Sequence, residues 1–265
     1  MLNGIAMGQY LPAGSPVHRM DPRAKLIVAA LATPAVLVAA DPPSVVAVSA
    51  WVLLGAGLSG IRPLIYWRSL KIIWLLLLIS FLVQVLFTPG DTLAAAGFLR
   101  VSRQGLVEGG WMLWRLTLLL VLASALSFTT TPLQLTAALE WILAPLTRLG
   151  LPVRELAMTV NLALRFVPTL FDEAQLLLMA QRSRGADFTR GGIRERVRGL
   201  IPFLVPLLAN IFRRADELAL AMEIRCYRVG AARSRMIVLR FSIVDYVAVF
   251  TGLAILATLL VCRLF

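Results

Sequence analysis

The sequence IIWLLLLISFLVQVLFT, residues 72–88, decides the fold, because it is a continuous apolar run without a charge. A helix that crosses the hydrocarbon core of a bilayer needs about 20 apolar residues, and ~17 are sufficient. The rest of the chain agrees, since its 265 residues are 59% hydrophobic and only 15% charged, with a mean hydropathy of +0.84. Soluble domains are less apolar. We therefore predict an all-α, polytopic membrane protein.

Four further apolar stretches bring the prediction to about five transmembrane helices. They are residues 26–40, 45–60, 109–128 and 241–265. Basic residues precede the first stretch and separate the second from the third, which the positive-inside rule assigns to the cytoplasm. The predicted topology has the N-terminus inside and the C-terminus outside. The string Gly55-x-Gly57-x-x-Gly60 lies in the second stretch, where small residues indicate close helix packing rather than nucleotide binding.

Residues 129–240 differ from the rest, because charge or proline interrupts their apolar stretches. We predict a module of amphipathic helices on or partly in the cytoplasmic face, which divides the chain into residues 1–128 (N-terminal segment and transmembrane helices 1–4), 129–240 and 241–265 (C-terminal transmembrane helix). A first helix follows Thr131-Pro132, a good start signal. A second runs from near Pro152, with a kink at Pro168. A third is expected to begin at Leu200.

The second and third helices end in similar sequences, AQRSRG (180–185) and AMEIRCY (221–227). Gly185 is a plausible stop signal that leaves Arg184 in the last helical turn, where the helix dipole favours a cation. Arg225 is followed by Cys226 instead of glycine, so the chain is expected to turn later, near Gly230. Arginine suits bidentate pairing with a carboxylate on another surface.

Acidic pairs precede both endings. Asp172-Glu173 and Asp216-Glu217 are predicted to pair with arginines of the neighbouring helix, for example Arg213 or Arg214 with Asp172. Such pairs would hold the two helices as one rigid arm. A second interpretation stays open, in which arginines at helix ends only satisfy backbone carbonyls and contact lipid headgroups.

Together these endings resemble the twin Ala-Arg-Gly signatures of the transmembrane T component of energy-coupling factor (ECF) transporters, importers of vitamins and metals in the ABC superfamily. GQYLPAGSPVHRMDPRAKL (8–26) resembles the N-terminus of the shared form of that family, and ALRFVPTLFDEA (163–174) its run into the first signature. This chain departs from the pattern at three positions. Ser183 replaces the usual alanine, and Ile224 and Cys226 replace small residues beside Arg225.

The resemblance implies a subunit that is not itself an enzyme. It would couple two ABC-type ATPase subunits, of the EcfA and EcfA' type, to a membrane-embedded S component that captures the substrate. No cofactor is expected in this chain, since the ATPases would bind ATP and magnesium. It would reside in a prokaryotic cell membrane with its coupling module in the cytoplasm. The implied ATPase contacts are Ser183, Arg184, Gly185, Ile224, Arg225 and Cys226, supported by Ala180, Ala221 and the two acidic pairs.

Three other classes of function fit the sequence less well. A membrane enzyme would need converging polar groups, but His18 is the single histidine and no metal-ligand spacing occurs. A self-sufficient secondary transporter, the main alternative, would need ionisable residues at the membrane midplane, for which Arg115 and Asp245 are the clear candidates. A nucleic-acid binder is disfavoured, because the basic stretch 182–198 does not interleave aromatic residues with charge in a stacking pattern and because the chain has about five predicted spans. Cys226 and Cys262 are not expected to form a disulfide.

Overall fold

A computed structural model describes residues 10–89, 91–96, 99–185, 192–228, 230 and 240–264. Almost all of them are helical, which confirms the predicted all-α class. The helices are α1 (Pro16–Arg19), α2 (Pro22–Val38), α3 (Pro42–Leu58), α4 (Pro63–Phe87), α5 (Arg103–Thr129), α6 (Pro132–Leu143), α7 (Val153–Ser183), α8 (Ile193–Ile224) and α9 (Ile243–Leu264), with a 3₁₀ helix at Ala144–Leu149. A short antiparallel hairpin, β1 (Thr92–Ala96) and β2 (Leu99–Ser102), joins α4 to α5 and was not predicted.

The chain forms two compact units. The first comprises Met1–Trp141 and Ile237–Phe265, and the second comprises Ile142–Met236. The predicted first helix of the coupling module, α6, belongs almost entirely to the first unit. It begins as expected, because Thr131 Oγ1 accepts from the backbone N–H of Gln134 and the Gln134 side chain accepts from the N–H of Thr131. This reciprocal capping box satisfies two N–H groups at the helix start.

Among the described residues, three helices are long and apolar enough to cross a bilayer. They are α4, α5 and α9, of 25, 27 and 21 qualifying residues. The first two predicted stretches form α2 and α3, which have 17 residues each. Proline opens α2, α3 and α4, where its missing N–H has no helical partner to lose. The count of five spans stays a prediction.

Small residues bring the helices of the first unit together, but not all at the expected places. An added Cβ at Gly252 of α9 would lie 2.9 Å from the Trp51 ring, and one at Gly109 of α5 would lie 3.0 Å from Phe81. An added Cβ at Gly55 or Gly57 would meet no atom within 4 Å. The predicted close packing is therefore wrong for these two residues, which face open space.

A buried polar cluster joins one end of the helices in the first unit. Asp245 is fully buried at the start of α9. Its carboxylate accepts from the backbone N–H of Asp21 at 3.0 Å and of Ser242 at 2.7 Å. Lys25 of α2, also buried, donates to the Thr129 carbonyl at the end of α5, 2.8 Å away. These contacts fix the starts of α2 and α9 beside the end of α5.

Two other polar residues from the sequence analysis have structural partners. A guanidinium nitrogen of Arg115 donates to the carbonyl of Ala39, the C-cap of α2, at 2.8 Å. The ring nitrogens of His18 lie 2.6 Å from Ser15 Oγ and 2.8 Å from the Leu11 carbonyl. Both side chains therefore stabilise the structure of the first unit around them.

Candidate functional site

The predicted site lies in the second unit, on the long helices α7 and α8. Helix α7 begins after Pro152, as the sequence predicts, with Glu155 in its first turn, where the helix dipole favours a carboxylate. It has 31 residues and remains helical through Pro168. Glu155 also accepts from the backbone N–H of Gly230 at 3.0 Å, so the chain after α8 returns to the start of α7.

Helix α8 is longer than the sequence analysis predicted. It begins at Ile193, seven residues before Leu200. The basic stretch IRERVRG forms its first two turns, in keeping with arginine and glutamate being good helix formers. Gly192 directly precedes the helix. Pro202 and Pro206 both lie inside it.

The end of α7 has the predicted geometry. Arg184 is the C-cap residue, and its backbone N–H donates to the carbonyl of Ala180 at 3.2 Å. Gly185 has a φ of +86°, a left-handed conformation that glycine adopts without strain. Its N–H donates to the Arg182 carbonyl at 2.9 Å. Gly185 therefore ends the helix and leaves the Arg184 side chain exposed.

The end of α8 differs from the prediction, because the chain turns at Cys226 and not first at Gly230. Cys226 has a φ of 56°, left-handed although it is not glycine. Its N–H donates to the Glu223 carbonyl at 2.9 Å, and the N–H of Tyr227 donates to the Met222 carbonyl at 3.0 Å. This pair of bonds is a Schellman motif, which satisfies carbonyls at the helix end. The cysteine therefore occupies the position that Gly185 occupies on α7.

Arg184 and Arg225 consequently hold equivalent positions at two helix ends. The N–H of Arg225 donates to the carbonyl of Ala221 at 3.3 Å, as that of Arg184 does to Ala180. Both side chains are exposed. Within the described part of the chain, neither guanidinium has a hydrogen bond or an ion pair. Beside them, Ser183 Oγ donates to the Met179 carbonyl, and Ile224 is 73% exposed.

An acidic side chain joins α7 to α8, but it is not that of Asp172, for which pairing with Arg213 or Arg214 was predicted. Glu173, rather than Asp172, lies 3.7 Å from a guanidinium nitrogen of Arg214. Glu173 also accepts from the Asn210 side-chain amide at 2.7 Å. Arg213 instead donates to Asn210.

Three of the four acidic residues that were predicted to pair with arginines of the neighbouring helix do not form such ion pairs. Asp172, Asp216 and Glu217 are exposed and have no ion pair among the described residues. Asn210 is the bridging residue that the sequence analysis missed. A lone amide on a helix gives no sequence signal for such a contact.

The contacts also show that α7 and α8 run in opposite directions. Glu173 meets Asn210 and Arg214, whereas the later residue Gln181 donates to the earlier carbonyl of Pro202 at 3.3 Å. Arg184 lies eleven residues beyond Glu173, and Arg225 lies eleven residues beyond Arg214. Each arginine is therefore roughly 17 Å of helix away from the ion pair, towards opposite ends of the helix pair.

Other site chemistry is sparse in the described ranges. They contain no group of three or more His, Cys, Asp or Glu side chains that could hold a metal ion. Cys226 and Cys262 are both free and exposed. The fold and the site thus define a helical membrane protein that presents two arginine-tipped helices.

Comparison with known proteins shows which family the chain belongs to. Residues 13–237 match the family model of CbiQ, described as cobalt transport protein, and the chain belongs to this family. Among its relatives, the energy-coupling factor transporter transmembrane protein EcfT of Acidaminococcus fermentans is 42% identical over 257 residues, covering 97% of this chain and 95% of the relative. The EcfT proteins of Heliobacterium modesticaldum (43% over 246 residues; 93% and 92% covered) and Listeria innocua (40% over 261 residues; 98% of each covered) are similarly close.

These relatives confirm the resemblance to T components that the sequence motifs indicated. The similarity extends over nearly the whole chain, so it includes the N-terminal segment, the apolar helices and both arginine endings. The chain is thus a transmembrane component of a transporter.

Proposed function

We propose that this chain is the T component of an ECF-type importer, coupling two ABC-type ATPase subunits to a substrate-binding S component for uptake of vitamins or other micronutrients. The observation that carries the proposal is the pair of equivalent arginine endings. They are alike in backbone geometry and exposure, and they point to opposite ends of one helix pair. Two like contacts fit two like subunits.

Each arginine is available for an intermolecular contact. Arg184 and Arg225 are exposed, and neither has a partner among the described residues. A guanidinium at a helix end can bind a carboxylate through two parallel hydrogen bonds. In this proposal each tip docks into an acidic groove of one ATPase, with Ser183, Gly185, Ile224 and Cys226 at the contact. ATP and magnesium are bound by the ATPases, and this chain carries no cofactor.

The contact between α7 and α8 would transmit the motion. When the ATPases close on ATP, the two tips are displaced towards each other, and Glu173 with Arg214 and Asn210 keeps the helices joined at the middle. Both helices expose large apolar side chains in their first halves, including Leu156, Val160 and Val205. We assign these faces to contact with the S component and the bilayer. The N-terminus and α7–α8 lie on the cytoplasmic side.

Alanine substitution of the two arginines tests the proposal. Arg184→Ala and Arg225→Ala should each weaken capture of the ATPase pair by roughly 2 kcal/mol or more, about thirty-fold in affinity, because removing one partner of a desolvated charge pair is costly. The double variant should be worse than either single one. Arg182→Ala is the matched control, since Arg182 is exposed in the last turn of α7 without being its cap.

The measurement is the yield of ATPase subunits that co-purify with the tagged chain from membranes, together with substrate uptake. Normal yield and uptake by the double variant would show that these residues are not the docking points. The alternative of a self-sufficient transporter predicts that the purified chain alone drives uptake in vesicles under a sodium or proton gradient, whereas coupling predicts none.

A further inference from the structure

One end of the first unit contains an apolar groove of about 350 Å³. Four helices line it over matching intervals: residues 25–32 of α2, 51–58 of α3, 122–129 of α5 and 244–251 of α9. Helices α2 and α9 begin at this end, and α3 and α5 finish there. Each interval covers roughly 10 Å of helix. The length of the groove is therefore about one third of the thickness of a hydrocarbon core of about 30 Å.

The groove exists because small side chains line its middle. An added Cβ at Gly55 would meet no atom within 4 Å, and Ala29 and Ala125 line the facing helices. Leu54 and Leu58 on its rim are 65% and 60% exposed. An open apolar groove of this depth suits a flexible hydrocarbon chain.

A second cavity of about 300 Å³ adjoins the groove and is more polar. It is lined by Gly14, Pro16, Arg19, Met20, Ser242 and Val244. Pro16, Met20 and Val244 also line the apolar groove, so the two cavities are neighbours. A ligand with a polar head and an apolar tail could occupy both.

Arg19 supplies the positive charge of the polar cavity. It is exposed in the last turn of α1, and its guanidinium has no hydrogen bond or ion pair within the residues that the structure describes. Two other charged residues at this end of the helices, Lys25 and Asp245, already have partners within the fold. Lys25 donates to the carbonyls of His18 and Thr129, and Asp245 is buried against backbone N–H groups.

We propose that these two cavities form a binding site for one anionic phospholipid. Its phosphate accepts hydrogen bonds from the Arg19 guanidinium and the Ser242 hydroxyl, and one acyl chain fills the groove between α3 and α5. Arginine binds phosphate oxygens through paired N–H groups. Charge complementarity decides the occupant, because an apolar protein helix in the groove would leave the Arg19 cavity without an anion.

Native mass spectrometry of the full-length chain tests the site. The purified, delipidated chain is titrated with phosphatidylglycerol or with zwitterionic phosphatidylcholine of the same acyl chains. Gly55→Leu fills the groove and should abolish retention of one tightly bound lipid of either kind. Arg19→Gln should lower phosphatidylglycerol affinity about five-fold, the effect of one basic residue near an anionic lipid, and remove the preference over phosphatidylcholine.

Two controls match these variants. Gly57→Leu changes a glycine of the same helix that also faces open space but does not line the groove, and Arg62→Gln removes an exposed arginine just beyond α3. Both should bind phosphatidylglycerol like the unmodified chain. Equal binding by Gly55→Leu and Gly57→Leu, or by Arg19→Gln and Arg62→Gln, would overturn the proposal.

A cross-linking experiment on the unmodified chain tests the same site without relying on the correct folding of a variant. Phosphatidylglycerol with a diazirine in the middle of one acyl chain is expected to label residues 51–58 and 122–129 of the unmodified chain. Labelling confined to other helices contradicts the site. So does a co-purifying protein helix that cross-links to the groove in place of lipid.

Discussion

Replacing Cys226 with glycine should stabilise the end of α8. At its φ of 56°, a residue with a Cβ costs roughly 1 to 2 kcal/mol. Glycine removes this strain, but its greater freedom in the unfolded chain offsets about 0.5 to 1 kcal/mol. The Schellman hydrogen bonds join backbone atoms only, so they remain. The expected net gain is roughly 0.5 to 1 kcal/mol in the local opening free energy.

Hydrogen exchange followed by mass spectrometry measures this gain directly. A peptide that contains the amides of Cys226 and Tyr227 should exchange about two- to five-fold more slowly in Cys226→Gly. The reverse change is Gly185→Ala at the end of α7, where a Cβ meets no other atom, so the cost is backbone strain alone. That variant should exchange faster at the end of α7. Unchanged or faster exchange at α8 in Cys226→Gly would refute the reasoning.

Two further predictions concern buried and half-buried carboxylates. Glu173→Ala removes the hydrogen bond from Asn210 and the ion pair between α7 and α8. The local opening free energy at this contact should fall by roughly 1 kcal/mol, so the amides of both helices should exchange faster there. Asp172→Ala, which alters an exposed neighbour, should leave the exchange rates unchanged. Asp245→Ala leaves two backbone N–H groups without their acceptor, and roughly 2 to 4 kcal/mol of stability should be lost. A thermal unfolding midpoint no lower than that of Asp216→Ala would contradict this role.

The sequence predicted the features that depend on local chemistry. Apolar length predicted the helices around residues 72–88 and 109–128, and Thr131-Pro132 predicted the start of α6. Gly185 identified the end of α7, because few other residues adopt positive φ without strain. The arginine endings were recognised because two similar local sequences recur along the chain.

Features set by tertiary packing were not predictable in the same way. The same order of apolar and then charged residues in α7 and α8 does not show that the helices run in opposite directions. Glu173 and Asp172 are neighbours in sequence, and only the position of Asn210 decides which one contacts α8. The left-handed Cys226 was missed because the pattern of stop signals favours glycine. The packing assigned to Gly55 and Gly57 failed because glycine permits close approach without requiring it.

The thiol of Cys226 gives the most direct test of the docking claim, since it lies beside Arg225 and is exposed. In a Cys262→Ala background it is the single cysteine, and its maleimide labelling rate can be compared in the chain alone and in the complex with both ATPases. Docking of the α8 tip predicts that Cys226 is strongly protected from maleimide in the complex. A control thiol introduced by Asp216→Cys, roughly 15 Å back along the helix, should keep its labelling rate when the ATPases bind. Equal labelling of Cys226 with and without the ATPases would contradict the account.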